Sequence, residues 1–205
     1  MPESGEVLAT RVAFLELQDE RRLVREGYEL LDEKRMLLAT EIMRQLRLHD
    51  ELRADLASLD AAALAALESA VGTHGFDGLT VEPKLDLAPA VLAVHFQPFL
   101  GLELPEAAIE ERGPPPAPEH RPATPEARRC AAAFRALALL HARLAACVSS
   151  LTRLVEEYVR TERRARALEN VVLPEIDGSL RFIEEQLDAL DQEEAVRVRN
   201  AAARA

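Results

Sequence analysis

Tryptophan is absent from this sequence, and aromatics make up only 4% of its 205 residues although 48% are hydrophobic. A compact domain of this size normally fills a wide core with several large rings. The apolar residues here are mostly Leu, Ala and Val interspersed with Glu and Arg, the mixture expected of long helices packed along a narrow seam. Basic charge is also the minority, with 25 Lys and Arg against 36 Asp and Glu and a net charge of −11. Phosphate binding needs a basic footprint, so this balance excludes nucleic acid as the main partner.

Cysteine is scarce as well: Cys130 and Cys147 fall on one predicted helix, about 25 Å apart along its axis and out of disulfide reach. Free thiols fit a reducing cytoplasm. No basic-then-apolar leader opens the sequence. The most apolar stretch, Cys130 to Val148, is interrupted by Arg135, His141 and Arg143, so no direct membrane insertion is expected.

Proline is missing from Val12 to Val71, where Gly27 is the only glycine. Over that span the positions Val24, Tyr28, Leu31, Arg35, Leu38, Ile42, Gln45, His49, Leu52, Leu56, Leu59 and Ala63 follow alternating steps of four and three. That is a heptad seam, widened by Leu23, Leu30, Leu37 and Leu46 on its flanks. Such a helix would be roughly 90 Å long.

The character changes at Gly72. Three glycines (Gly72, Gly75, Gly78) are followed by short apolar runs, Leu79–Val81 and Val91–Phe96, which predict a small β-hairpin. Gly113 to Pro125 holds six of the twelve prolines and predicts an extended connection. A second helix is predicted from Glu126 to about Asn200. Its seam reads Leu137, His141, Leu144, Val148, Leu151, Val155, Tyr158, Glu162, Ala165, Glu169, Val172, Ile176, Leu180, Ile183, Leu187 and Leu190. The four-plus-four step from Val172 through Ile176 to Leu180 is a stutter, and Pro174 inside it predicts a kink. The expected architecture is therefore dominated by α-helix: a long antiparallel two-helix coiled-coil hairpin with a small central β-hairpin and loop insert. Its segments are residues 1–71, 72–125 and 126–205. Antiparallel closure would place residue i opposite approximately 197 − i, to within about two turns.

Sites for chemistry are missing too. There is no GxxxxGK[ST] phosphate loop, and the few glycines are not placed to cradle phosphate. The five histidines are scattered without metal-ligand spacing, so neither metal nor cofactor is expected. His49 and His141 fall on the two predicted seams, where a polar residue usually sets register.

Two segments stand out from this background. REGYELLDEKRMLL spans Arg25 to Leu38. TERRARALENVVLPEI spans Thr161 to Ile176 and, with Arg160, gathers Arg163, Arg164 and Arg166 into a basic cluster. The second segment resembles the signature of the D-subunit family of V-type (A/V-type) ATPases and ATP synthases: Arg163 and Arg164, then Ala167, Leu168 and Glu169, then Val171, Val172, Leu173 and Pro174 match it. The first is similar to that family's N-terminal helix at Gly27, Leu30, Leu31, Lys34 and Arg35. GLELPEA, Gly101 to Ala107, resembles the end of its central hairpin, and Ser179 to Arg199 follows its acidic tail helix.

The resemblance implies a non-catalytic central-stalk rotor subunit of a V/A-type rotary ATPase, carrying torque between the nucleotide-hydrolysing hexamer and the ion-translocating membrane ring. It implies as partners the catalytic and non-catalytic hexamer subunits, a small companion stalk subunit and the adaptor on the membrane ring. The protein would then be cytoplasmic and peripheral to the membrane. Arg21, Arg25, Lys34, Arg35, Arg163, Arg164 and Arg166 become candidate hexamer-interface residues, with Gly27 and Pro174 as sites of close packing and kinking. A coiled-coil chaperone or scaffold of prefoldin type is the alternative for the same hairpin; its gripping tips would be apolar, whereas both helix ends here are charge-rich.

The missing phosphate loop carries its own test. Calorimetric titration of the isolated chain with ATP is expected to show no saturable binding at micromolar concentrations; saturable binding there would refute the assignment of a non-catalytic part.

Overall fold

The computed structural model describes residues 9–81, 90–111 and 124–203. Helix α1 covers Arg11–Val81, strands β1 and β2 cover Ala90–Phe99 and Leu102–Glu111, and helix α2 covers Pro125–Ala167. A π-helical turn, Leu168–Val172, then leads into helix α3, Leu173–Ala202. The architecture is the helical hairpin with a β-hairpin insert. The proline-rich connection expected over Gly113–Pro125 lies outside the described residues, apart from Thr124 and Pro125.

Threonine starts both long helices. Thr10 accepts the Ala13 N–H at 3.1 Å, and Thr124 accepts the Ala127 N–H at 3.3 Å, each satisfying a donor that the first helical turn leaves over. Pro125 follows as the first helical residue of α2, where a missing N–H costs nothing. The first helical run of α1 extends one turn past Val71 and breaks at Gly75, whose φ of 68° is open to glycine at no steric cost; a short second run carries α1 on to Val81. Leu79–Val81, expected as a strand, is the last turn of that helix.

The β-hairpin is displaced accordingly. β1 and β2 pair antiparallel from Ala90↔Glu111 to Phe99↔Leu102 around a two-residue turn, Leu100–Gly101. Both turn residues have positive φ, 48° and 87°, the geometry that matches the twist of a tight hairpin. Pro98 and Pro105 lie inside the strands; a two-stranded sheet consists of edges only, so each can face away from the ladder.

The chain divides into two compact units, Leu38–Glu157 and Met1–Leu37 with Tyr158–Ala205. In the first unit Leu52, Leu140 and Cys147 form the buried core, flanked by Leu48, Leu56, Leu59, Leu144 and Leu151. Leu38, Ala63, Ala70 and Leu154 extend the same stripe. Every seam position expected on α1 is buried or half-buried. Its predicted flank is not: Leu23, Leu30, Leu37 and Leu46 are exposed. Two helices cover only one stripe of each other, so a leucine one position off the stripe stays in water.

On α2 three of the nine expected seam positions are wrong by one residue. Leu140, Cys147 and Leu154 are buried, whereas His141, Val148 and Val155 are exposed. The observed stripe Leu137, Leu140, Leu144, Cys147, Leu151, Leu154 keeps strict three-four spacing. His141 turns back along its own helix, with Nδ1 2.9 Å from the Leu137 carbonyl oxygen. His49 is half-buried as expected; more deeply buried on the α1 seam is Gln45, 7% exposed, and the Cys147 thiol donates toward both its carbonyl and its side-chain oxygen.

In the second unit Thr161, Ala165, Ile176, Leu180 and Ile183 are buried, and Val24, Tyr28 and Leu31 of α1 are half-buried. The helix does not break at Pro174. Val172 and Leu173 keep α-helical backbone angles, and the irregularity takes the form of the π turn just before the proline.

These burials separate two leucines sharply. Leu154→Ala, at a site with 0% exposure, is expected to destabilise the isolated chain by about 2–5 kcal/mol in a denaturant melt. Leu30→Ala, at 67% exposure, is expected to stay within about 0.5 kcal/mol. Equal losses from the two would contradict the observed stripe.

Candidate functional site

Three layers of charge bridge α1 to the second helical strand in the unit Met1–Leu37 with Tyr158–Ala205. The best connected centres on Glu162, whose side chain is 18% exposed. Arg35 donates to it across the helices at 2.8 Å and also pairs with Asp32 on its own helix. Arg166, one turn along from Glu162, takes the other carboxylate oxygen at 2.7 Å. Each pair within a helix uses spacing that puts both residues on one face. The Arg35 hydrogen bond is the main reason the Glu162 carboxyl lies below the ordinary carboxylate range, with Arg166 adding to it and burial opposing it. The same bond raises Arg35 further.

Two turns toward the helix ends, the Tyr28 phenol meets Glu169. Its pKa is raised, first by the Glu169 charge, then by burial and by Asp32. Beyond it, Arg21 Nε stands 2.8 Å from Asp177, an ionic contact in which the N–H is not aimed at the oxygen. Arg11 pairs with Asp191 at 3.2 Å where both are open to solvent and the pair adds little. Glu162 opposite Arg35 and Glu169 opposite Tyr28 are the partners the antiparallel register predicts.

The seven basic residues singled out by sequence therefore separate. Arg35 and Arg166 meet through Glu162, and Arg21 is engaged with Asp177. Lys34 is half-buried. Arg25, Arg163 and Arg164 are exposed and have no ion pair among the described residues. Gly27 faces the π turn: a Cβ on it would lie 3.9 Å from Leu168 Cδ1, an ordinary contact distance. Sequence reasoning put Glu162 and Glu169 on the seam, but gave neither them nor Asp32 and Asp177 a role as ionic partners. The Asp32–Arg35 and Glu162–Arg166 spacings were a readable signal; Asp177 had none.

In the unit Leu38–Glu157, the β-hairpin is tied to α2 by backbone. Ser150 Oγ donates to the Pro105 carbonyl at 3.1 Å, and Arg153 donates to the Glu103 carbonyl at 2.6 Å while its guanidinium lies 5.7 Å from the centre of the Phe96 ring. Between them and α1 is a cleft of about 280 Å³, lined by Glu41, Arg44, Gln45, Leu104 and Cys147 among others. Glu41 is bound by Arg44 and Gln45, and burial pushes the Cys147 thiol up, away from the reactive thiolate. Among the described residues no group of His, Cys, Asp and Glu is arranged to hold a metal ion.

Residues 13–203 match the family model for the D subunit of ATP synthase. The chain is 28% identical to the D subunit of the V-type ATP synthase of Thermotoga neapolitana, over 94% of this chain and 95% of that protein. It is 34% identical to the corresponding V-type D subunit of Anaeromyxobacter dehalogenans, over 95% of each. It is 30% identical to the D subunit of the A-type ATP synthase of Pyrococcus furiosus, over 97% of this chain and 94% of that protein.

The Glu162 layer predicts an acid-sensitive stability. Because its folded pKa is depressed, its contribution is present above the ordinary value of 4.5 and is lost as pH falls through the folded value. The Glu162→Gln variant should therefore lose less stability than the parent between about pH 5 and pH 2 in thermal melts. Parallel curves over that window would show that the layer contributes nothing to folding.

Proposed function

This chain belongs to the D-subunit family of ATP synthases, and on that premise we propose that it is the central-stalk rotor subunit of a V/A-type rotary ATPase or ATP synthase. It carries torque between the nucleotide-binding hexamer and the ion-translocating membrane ring and performs no nucleotide chemistry of its own. The observation that carries this reading is the family match over residues 13–203, which takes in both helical strands and the hairpin. In the unit Leu38–Glu157 the helices pack on each other along an apolar stripe, and in the other unit they are cross-tied by charge, which suits a part that must resist twisting. The prefoldin-type alternative has no comparable support.

Its partners in this reading are the catalytic and non-catalytic hexamer subunits, a small companion stalk subunit and the membrane-ring adaptor, with the chain peripheral to the membrane. Both long helices contain an 18-residue window apolar enough to cross a bilayer by length and composition, with mean hydropathy 1.2 and 1.5. The second helix uses its apolar stretch otherwise: Leu140 and Cys147 pack on Leu52 of α1. Arg135 and Arg143 in that stretch would be costly in hydrocarbon.

The seven basic positions Arg21, Arg25, Lys34, Arg35, Arg163, Arg164 and Arg166 form the hexamer-facing side of the rotor. Within it the roles divide. Arg21, Arg35 and Arg166 spend their charge on Asp177 and Glu162. Arg25, Arg163 and Arg164 are the exposed cations that reach the surrounding subunits. A rotor should not bind tightly at one angle, and solvent-screened pairs of about 0–1 kcal/mol each meet that requirement.

Replacing Arg25, Arg163 and Arg164 together with Gln tests this division. The melting temperature of the isolated chain should move by no more than about 2 °C. ATP-driven ion pumping by the reconstituted complex should fall several-fold and become less sensitive to salt. Unchanged pumping, or a collapse in melting temperature, would refute the assignment of these three to the hexamer contact.

A further inference from the structure

We infer that the π turn Leu168–Val172 is a one-residue insertion that resets the helix seam, and that the seam offset, rather than Pro174, holds it in place. Before the turn, the side presented to α1 is Tyr158, Thr161, Ala165 and Leu168, in steps of three, four and three. An uninterrupted α-helix would continue with Val172, Glu175, Ser179 and Phe182. The structure instead buries Ile176, Leu180 and Ile183, each one residue later. Glu175 is exposed and Phe182 is 51% exposed.

The turn takes up the difference. The Leu173 N–H bonds to the carbonyl of Leu168, five residues back where an α-helix would use four, so one extra residue is absorbed without leaving the helix. Each helical residue turns the chain by about 100°, so without the insertion α3 would rotate by that angle and carry the Glu175 carboxylate into the seam. Three branched apolar residues oppose that rotation. Opposite the turn, α1 runs through Gly27 with ordinary helical geometry, beside Leu168. The whole adjustment therefore belongs to the second strand.

Pro174 is a tenant of this turn, not its cause. As the second residue of α3 it lies where a missing N–H is tolerated. A proline within an α-helix ordinarily produces a kink at its own position, and nothing in its chemistry demands an extra residue.

Single-residue deletions in the full chain separate the two causes. Removing Asn170 in a Pro174→Ala background, which serves as its parent and keeps proline out of the helix interior, brings Ile176, Leu180 and Ile183 into step with Tyr158–Leu168 along a continuous α-helix. Its melting temperature should lie within about 2 °C of the parent or above it. Removing exposed Arg181 instead throws buried Ile183 out of the seam, and should lower the melting temperature by about 5 °C or more. A crystal structure of Pro174→Ala should keep the Leu173-to-Leu168 bond, because the seam offset is unchanged. The inference is overturned if the Asn170 deletion melts as low as the Arg181 deletion. It is equally overturned if Pro174→Ala turns regular α-helix through Leu168–Val172.

Discussion

Two helices lying side by side can hide only one stripe of each other, and this geometric limit governs the rest of the structure. A three-dimensional core can bury an aromatic from any direction; a seam accepts a side chain only at every third or fourth residue. The lack of tryptophan, the abundance of Leu and Ala, and the wet leucines Leu23 and Leu30 on α1 all follow from it. The two strands must also agree in phase, so a one-residue disagreement requires a local correction. The π turn before Pro174 is that correction.

The same limit explains what could be read in the sequence and what could not. On α1, the alternating steps of four and three run unbroken through Leu38, Leu52 and Ala63, so the stripe could be placed residue by residue. On α2, neighbouring positions compete: Leu140 with His141, Cys147 with Val148, Leu154 with Val155. Pattern alone cannot choose when the buried member is a cysteine and its exposed neighbour a valine; the choice is made by the opposite helix, through contacts such as Cys147 with Gln45. Glycine was informative in part. Gly72, Gly75 and Gly78 signalled a helix break, which falls at Gly75, but a second helical run follows where a strand was expected. The stutter near Pro174 was legible as an irregularity, while its form depended on which residues α1 would cover.

For the candidate site, sequence identified the basic residues and missed the acids that consume some of them. An arginine-rich segment in an acidic protein reads as one uniform patch. The fold makes it two populations, because Glu162 lies within reach of both Arg35 and Arg166 while Arg163 and Arg164 are open to solvent. Charge that ties the helices together and charge left open to solvent thus alternate on one short stretch of helix.

Rotation is the core of the functional account, and a reversible tether tests it most directly. A disulfide between Arg164→Cys and a cysteine on the facing surface of the nucleotide-binding hexamer would lock this chain to the stationary part of the complex. If the chain is the rotor, steady ATP hydrolysis by the tethered complex stops and returns to its starting rate on reduction. Continued hydrolysis at the untethered rate, with the disulfide fully formed, would contradict the account.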